Sequence, residues 1–367
     1  MIGDRRRDTA AGTGALVVRA GPRALARIRE RGLSPADVAA IPAAAGGPKG
    51  LALLALDRFL FGEWLPRVPR ERVLIGASIG AWRMAAALLP DPVAGLQRLG
   101  ELYSGQRYPR RPTPEHVTQV CRAMLAEMLG ADGDAVLAHP HHRLVVLAVR
   151  GRGRLERAAS SRAQAVGFAL ASAANAAGRS RLAGFLERVV LHDPRDDAAW
   201  LRARFDAFAT HFAALSPANL PAALLASGTI PLALAPVAEI QGVPPGMFWD
   251  GGLVDYHLHL PYPRLPGLVL YPHFGEHIVP GWLDKAMRWR RARGDWLENV
   301  ILIAPSASFV AGLPNAKLPD RKDFKRYGLD HAARIRDWRR AMAEGERLAD
   351  AFAEFVARPE RFEVRPL

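Results

Sequence analysis

The sequence predicts an α/β fold built on a mostly parallel sheet, and three observations carry that expectation. Short apolar runs rich in β-branched residues alternate with longer Ala/Leu-rich segments of helical spacing. The clearest run, Leu144 to Val149, is apolar without interruption, as expected of a strand covered on both faces. The chain has 367 residues, half of them hydrophobic, enough for a sizeable core in one large domain or two average ones. We find no internal repeat and no low-complexity linker, so one continuous unit is the simplest organisation.

Taken in order, Ala15 to Arg19 reads as a strand, Pro22 to Arg31 as a helix and Val38 to Ala43 as a strand. That strand ends in a loop, Ala44 to Gly50, and Leu51 to Trp64 then reads as a helix. Arg72 to Ala77 is a short buried strand followed by a helix from Ile79 to Leu89. Pro114 to Leu129 and Ala163 to Leu186 are further helices. Arg188 to His192, Gly267 to Tyr271 and Val300 to Ala304 complete the strands. A last helix, Gly328 to Arg358, places Ile335, Trp338, Met342, Leu348, Phe352 and Phe355 on one stripe, a packing face. The expected organisation is a flexible tail over 1–14, a main domain over 15–310, and a C-terminal helical extension over 311–367 packed on the same domain.

Composition excludes several classes. Mean hydropathy is -0.01, which fits neither a disordered chain nor a membrane-embedded body. The most apolar long stretch, Ala222 to Ile240, is interrupted by Ser227, Gly228, Thr229, Pro231 and Pro236 and does not read as a span. Arg5, Arg6 and Arg7 are not followed by an apolar stretch of signal-peptide length, so a cytoplasmic location is expected. The single cysteine, Cys121, excludes an internal disulfide framework and reads as a small core residue. Net charge is +14, and 45 of the 50 basic residues are arginine; the lysines are Lys49, Lys285, Lys317, Lys322 and Lys325. Such a surface suits anionic membranes, acidic substrates or nucleic acid. No nucleic-acid motif accompanies it, so specific nucleic-acid binding is not expected.

Three motifs carry chemistry. Gly46-Gly47-Pro48-Lys49-Gly50 lies between a strand and a helix. Consecutive glycines let several N–H groups face one point, as an oxyanion hole requires. A Walker A loop would need four residues between its glycines and Ser or Thr after the lysine, and Gly50 stands there instead. Gly76-Ala77-Ser78-Ile79-Gly80 is a G-x-S-x-G at a strand-to-helix turn, the setting of a nucleophile elbow. The helix starting at Ile79 directs free N–H groups and its positive dipole end to the same place. Asp250-Gly251-Gly252 supplies a carboxylate before two glycines. Alone it would read as a hairpin turn.

In this order the three motifs resemble the patatin-like phospholipase family. Its glycine-rich loop corresponds to Gly46, Gly47, Lys49 and Gly50, its G-x-S-x-G to Gly76 through Gly80, and its D-G-G to Asp250, Gly251 and Gly252. Ala226 to Pro231 is similar to the family's Ala-Ser-x-x-x-Pro segment. The resemblance spans Val38 to Ala304 and implies a three-layer α/β/α hydrolase. In it Ser78 is the nucleophile, Asp250 its base, and the Gly46 to Gly50 loop the oxyanion hole. The implied activity is hydrolysis of lipid or other acyl esters by a Ser-Asp dyad, with no metal and no organic cofactor; peripheral contact with anionic membrane is an expectation from the +14 charge. Two features depart from the family: Ala44 and Ala45 open the loop, and Pro48 has no N–H to donate. Together with the basic surface they motivate the alternative of a catalytically weak patatin-like fold acting as a lipid- or membrane-binding adaptor.

Histidine is the competitor for the base, since an ordinary α/β-hydrolase orders Ser, Asp, His. His257, His259, His273 and His277 follow Asp250, and His257 and His259 would share a face if extended. We read them as surface or supporting residues. His139, His141 and His142 read as a polar loop without metal-ligand spacing. Asp193, Asp196 and Asp197 read as solvated turn residues.

Overall fold

The computed structural model describes residues 14–158, 160–287, 289–290 and 292–367. Residues 1–13 of the expected tail, Arg5, Arg6 and Arg7 among them, lie outside these. Gly14 is tied down, its carbonyl accepting from the hydroxyls of Ser306 and Ser308.

The architecture is α/β with a mixed, mostly parallel sheet. Its strands are β1 (Leu16–Ala20), β2 (Val38–Ala43), β3 (Arg72–Ala77), β4 (His142–Gly151), β5 (Leu186–His192), β6 (Thr210–Ala214), β7 (Phe248–Asp250), β8 (Leu268–Pro272), β9 (Val300–Pro305) and β10 (Val364–Pro366). The order is β10-β1-β9-β8-β2-β3-β4-β5-β6, with β7 paired to β4 off this path. From β9 through β8, β2 and β3 to β4 the strands run parallel, while β1 is antiparallel to β9 and β5 to β4. Every residue of β2, β3, β5, β8 and β9 is buried, as parallel strands between helical layers must be. The outer strands β6 and β10 are partly exposed.

Several elements differ from expectation. The segment after the glycine loop begins at Gly47 as a 3-10 helix to Leu53, becomes α-helical over Leu54–Phe59 and ends in a π turn over Leu60–Trp64. The helix expected over Ala163 to Leu186 stops at Ala177, where the Gly178 N–H caps the Ala174 carbonyl; Leu186 already belongs to β5. The expected last helix is two, His331–Glu344 and Glu346–Ala357, divided at Gly345. A Cβ on Gly345 would stand 2.7 Å from the Ala52 carbonyl oxygen, so glycine permits that close backbone approach. The helices that the sequence reading did not mark include Pro92–Gly105 and Leu220–Ser227.

The C-terminal extension packs on the main core and is not purely helical, because it supplies β10. Phe352 meets Trp64 and Phe59 at ring distances of 5.3 and 6.3 Å, and Trp338 stacks near Tyr103. The expected apolar stripe is therefore a packing face, with Trp338, Leu348, Phe352 and Phe355 fully buried.

Candidate active site

Register in the sheet brings the second and third motifs together. One edge of β4 is shared by two strands. β3 pairs along its first half, ending with Ala77 opposite Leu147, and β7 takes over antiparallel with Asp250 opposite Ala148. Ser78 leaves the end of β3 at the point where Asp250 ends β7. The glycines of both motifs are required by this closeness. A Cβ on Gly76 would strike the backbone of Ala81, one on Gly80 the carbonyl of Ala43, and one on Gly251 the carbonyl of Leu147.

Ser78 has φ 57° and ψ -131°, a conformation that side-chain-bearing residues rarely adopt, and it caps the helix Ile79–Ala86. Two bonds from the Ala226 to Pro231 segment hold the pair. The Ser227 hydroxyl accepts from the Ser78 N–H at 2.9 Å and donates to the Leu147 carbonyl at 2.6 Å. The Asp250 N–H donates to the Thr229 carbonyl at 2.8 Å. One segment thus fixes the backbones of both residues; its Ala-Ser-x-x-x-Pro pattern marked it out, but not this role.

Ser78 and Asp250 are both buried. Burial pushes the Asp250 carboxyl above its ordinary value. The Ser78 hydroxyl, its hydrogen-bond partner, opposes that shift, as do the Gly252 N–H at 2.7 Å and the charges of Arg321 and Lys285. A carboxylate with raised basicity facing a strained serine is an arrangement in which the one could accept the other's proton.

Gly47 has φ 55° and, with Gly46, lies at the mouth of the site. Among the described residues the N–H groups of Gly46, Gly47 and Ile79 have no acceptor, and all three residues line the cavities at Ser78. The Ile79 N–H is the free donor expected at the start of that helix. Pro48 occupies the first turn of the 3-10 helix, where a missing N–H costs nothing. Gly50 does not reach the cavity. It packs against Ile79 and Arg83, so its smallness serves contact between the two helices. Those helices are also joined by a buried ion pair, Arg83 to Asp57, with bonds of 2.6 and 2.7 Å.

Two cavities meet at Gly47, Ser78, Ile230 and Arg321. The first, about 500 Å³, is walled by apolar and aromatic side chains including Trp82, Tyr103, Val117, Leu234 and Phe324. The second, about 360 Å³, contains Asp250 together with Lys49, Lys285, Arg321 and Lys322. Cys121 lines the apolar cavity and is only partly buried, contrary to its reading as a core residue. Burial pushes its thiol up to about 12, leaving it protonated.

None of the four downstream histidines lines either cavity at Ser78. His257 Nδ1 accepts from the Val279 N–H, His259 Nε2 from the Arg293 N–H and His273 Nδ1 from the Gly275 N–H. Burial lowers His259 to about 4, His273 to about 3 and His257 well below its usual value. These three are buried neutral acceptors, not surface residues. His257 and His259 do not share a face: the first packs on Tyr256 and Phe274, the second on Trp296. Leu258 between them has φ 43°, which breaks the alternation. His142 begins β4 and stacks on His139 at 4.6 Å, so that cluster is only partly loop. No His, Cys, Asp or Glu cluster that could hold a metal ion occurs among the described residues. Asp193 is fully buried and paired with Arg195 at 2.8 Å, unlike the solvated residue expected. Asp196 and Asp197 cap the backbone of Ala198 and Ala199.

These features define an α/β protein with a strand-end serine, an adjacent buried carboxylate and free backbone donors. No protein-family model and no curated protein matches the sequence. Among the described residues no helix is long and apolar enough to cross a membrane.

Proposed function

We propose that the chain is a serine acyl-ester hydrolase of patatin-like architecture, with Ser78 as nucleophile and Asp250 as its base. The observation that carries this reading is the handover on β4, which sets Asp250 beside Ser78 with no imidazole between them. The Ser78 oxygen adds to the ester carbonyl while its proton passes to Asp250. The resulting oxyanion is met by the N–H groups of Gly46, Gly47 and Ile79. Collapse expels the alcohol, which takes the proton, and water then releases the acid from Ser78 by the same route. The apolar cavity suits an acyl chain, which makes a lipid or related acyl ester the substrate.

The adaptor alternative arose from Ala44, Ala45 and Pro48 in the loop together with the basic surface. The unoccupied amides at Gly46 and Gly47 favour the hydrolase, because Pro48 removes no donor that the site uses. The test is labelling with a fluorophosphonate probe, followed by a lipid-class hydrolysis panel on wild type and Ser78→Ala. The hydrolase reading expects labelling of Ser78 and a loss of activity of at least about 10³ in the variant. An unlabelled, inactive wild type would leave the adaptor.

A further inference from the structure

The polar cavity is unusual in which basic residues it uses. The chain has 45 arginines and five lysines, yet Lys49, Lys285 and Lys322 line this cavity. Lys325 lines the adjoining apolar cavity, and Lys317 binds Asp320 on the polar cavity's wall at 3.2 Å. Four of the five lysines therefore line the two cavities that meet at Ser78, and the fifth is tied to an acid on the wall of one of them. A composition biased toward arginine explains a solvated basic surface but not this concentration.

Three of the four cations lining the cavity are seated on aromatic rings. The Lys285 ammonium lies 4.0 Å from the Tyr256 ring centre, the Arg321 guanidinium 4.6 Å from Trp282 and the Lys49 ammonium 4.8 Å from Phe274. None of the three has a carboxylate within ion-pair distance among the described residues, whereas Asp320 is engaged by Lys317 and by the Lys322 N–H. The one other acid in the cavity is Asp250, the base. Positive charge exceeds negative at this spot.

We propose that Lys285 and Arg321, with Lys49 beside them, form an anion-binding subsite on the leaving-group side of Ser78. The preferred substrate is then an acyl ester whose alcohol part carries a phosphate or a carboxylate. The inference rests on the hydrolase reading for its orientation: the acyl chain fills the apolar cavity, so the alcohol must leave through the polar one. Crowding of like charge supports it, since burial and then the charges of Lys49 and Arg321 push the Lys285 ammonium down to about 7, and an incoming anion would relieve that repulsion. Arg321 comes from the C-terminal extension, outside the stretch carrying the motifs. It also reaches Gly47, its Cγ 3.6 Å from where a Cβ would stand. The extension thus contributes to substrate choice as well as to packing.

Binding is measured first, by calorimetry with hexyl phosphate, heptanoate and hexanol, on the full chain and on Lys285→Gln, Arg321→Gln and the double variant. Unfolding midpoints serve as the check on folding. The wild type should bind both anions at least about tenfold more tightly than hexanol, and the double variant should lose most of that preference. Hexanol binding as tightly as hexyl phosphate, or a folded double variant that keeps the full preference, overturns the subsite. The wild-type comparison stands even if a variant fails to fold. Kinetics then use three hexanoate-length esters: one with phosphate on the alcohol, one with a neutral alcohol, and one with a carboxylate at the far end of the acyl chain. The expected order of kcat/KM places the first about tenfold or more above the other two. Turnover of the neutral ester without that preference leaves the hydrolase and removes the subsite. Anion-selective binding without any turnover does the reverse.

Discussion

Ser227→Ala removes one oxygen that touches no cavity, yet it should damage both stability and catalysis. The hydroxyl is fully buried between the Ser78 N–H and the Leu147 carbonyl. Deleting it leaves a donor and an acceptor facing each other across the gap. Each buried group left without a partner costs about 1–3 kcal/mol, and partial relief by a trapped water puts the pair at about 2–4 kcal/mol. The same bond anchors the backbone at a residue whose φ of 57° is itself strained by about 1–3 kcal/mol. Losing the anchor frees Ser78 to relax away from Asp250. If about 1.4–2.8 kcal/mol of that positioning is lost, kcat falls by about 10- to 100-fold. KM should move little, because Ser227 lines neither cavity. The assay is hydrolysis of a chromogenic short-chain ester, alongside the rate of fluorophosphonate labelling and the urea midpoint at constant m. A Ser227→Ala protein with wild-type midpoint, kcat and labelling rate would refute the claim that this segment positions the nucleophile.

Asp250→Asn should be nearly as inactive on the same ester as Ser78→Ala, because an amide cannot accept the proton. Single alanine changes at His257, His259, His273 and His277 should each leave most of kcat, and one dead histidine variant would overturn the dyad. Asp57→Ala strands the buried Arg83 guanidinium, and we expect about 3–5 kcal/mol of lost stability in denaturant titration. Ser78→Gly should be inactive yet more stable than Ser78→Ala by about 1 kcal/mol, since glycine accepts the elbow conformation without strain. Equal stability of those two variants would argue against a strained elbow.

Much of the central sheet was legible because its strands are local. Val38–Ala43 and Arg72–Ala77 match expectation residue for residue, each being a short apolar run between turn or helix signals. The three-residue β7 and β10 were not legible, since strands that short have no periodicity of their own and exist only by pairing with β4 and β1. Helix ends failed where long-range packing decides them, as at Gly345 against Ala52. In the site, glycine-flanked positions announced themselves because glycine spacing reports close backbone approach. Ser227 did not: its bond to Ser78 spans 149 residues, and a serine in an apolar helix carries no mark of what it will meet. Asp193 and the buried histidines were misjudged for the same reason, as polar residue types are read as exposed unless partners are visible. Lys285 and Arg321 escaped notice because their shared cavity is assembled from six separate stretches of chain, from Ala45 to Lys322.

The base and the anion subsite make opposing demands, and this yields a final prediction. On the proposed mechanism Asp250 acts as a base only when ionised, so activity should have an acid limb set by its pKa. Burial raises that pKa, whereas Arg321 and Lys285 lower it. In the free enzyme the two cations keep Asp250 ionised further down the pH scale than burial alone would allow. An anion seated on Lys285 and Arg321 offsets their charge, so the Asp250 pKa should rise in the complex, and its basicity with it. The profile of kcat/KM reports the free enzyme and that of kcat the complex. For an ester with phosphate on its alcohol, the acid limb of kcat should therefore lie at higher pH than that of kcat/KM. A neutral ester of equal acyl length should show no such gap. In Arg321→Gln the kcat/KM limb should itself move up, because one of the cations restraining the free carboxyl is gone, and the gap for the anionic ester should narrow. Coincident limbs for the anionic ester in the wild type would mean that the charge of the substrate never reaches Asp250, and the polar cavity would then have to bind something other than the leaving group.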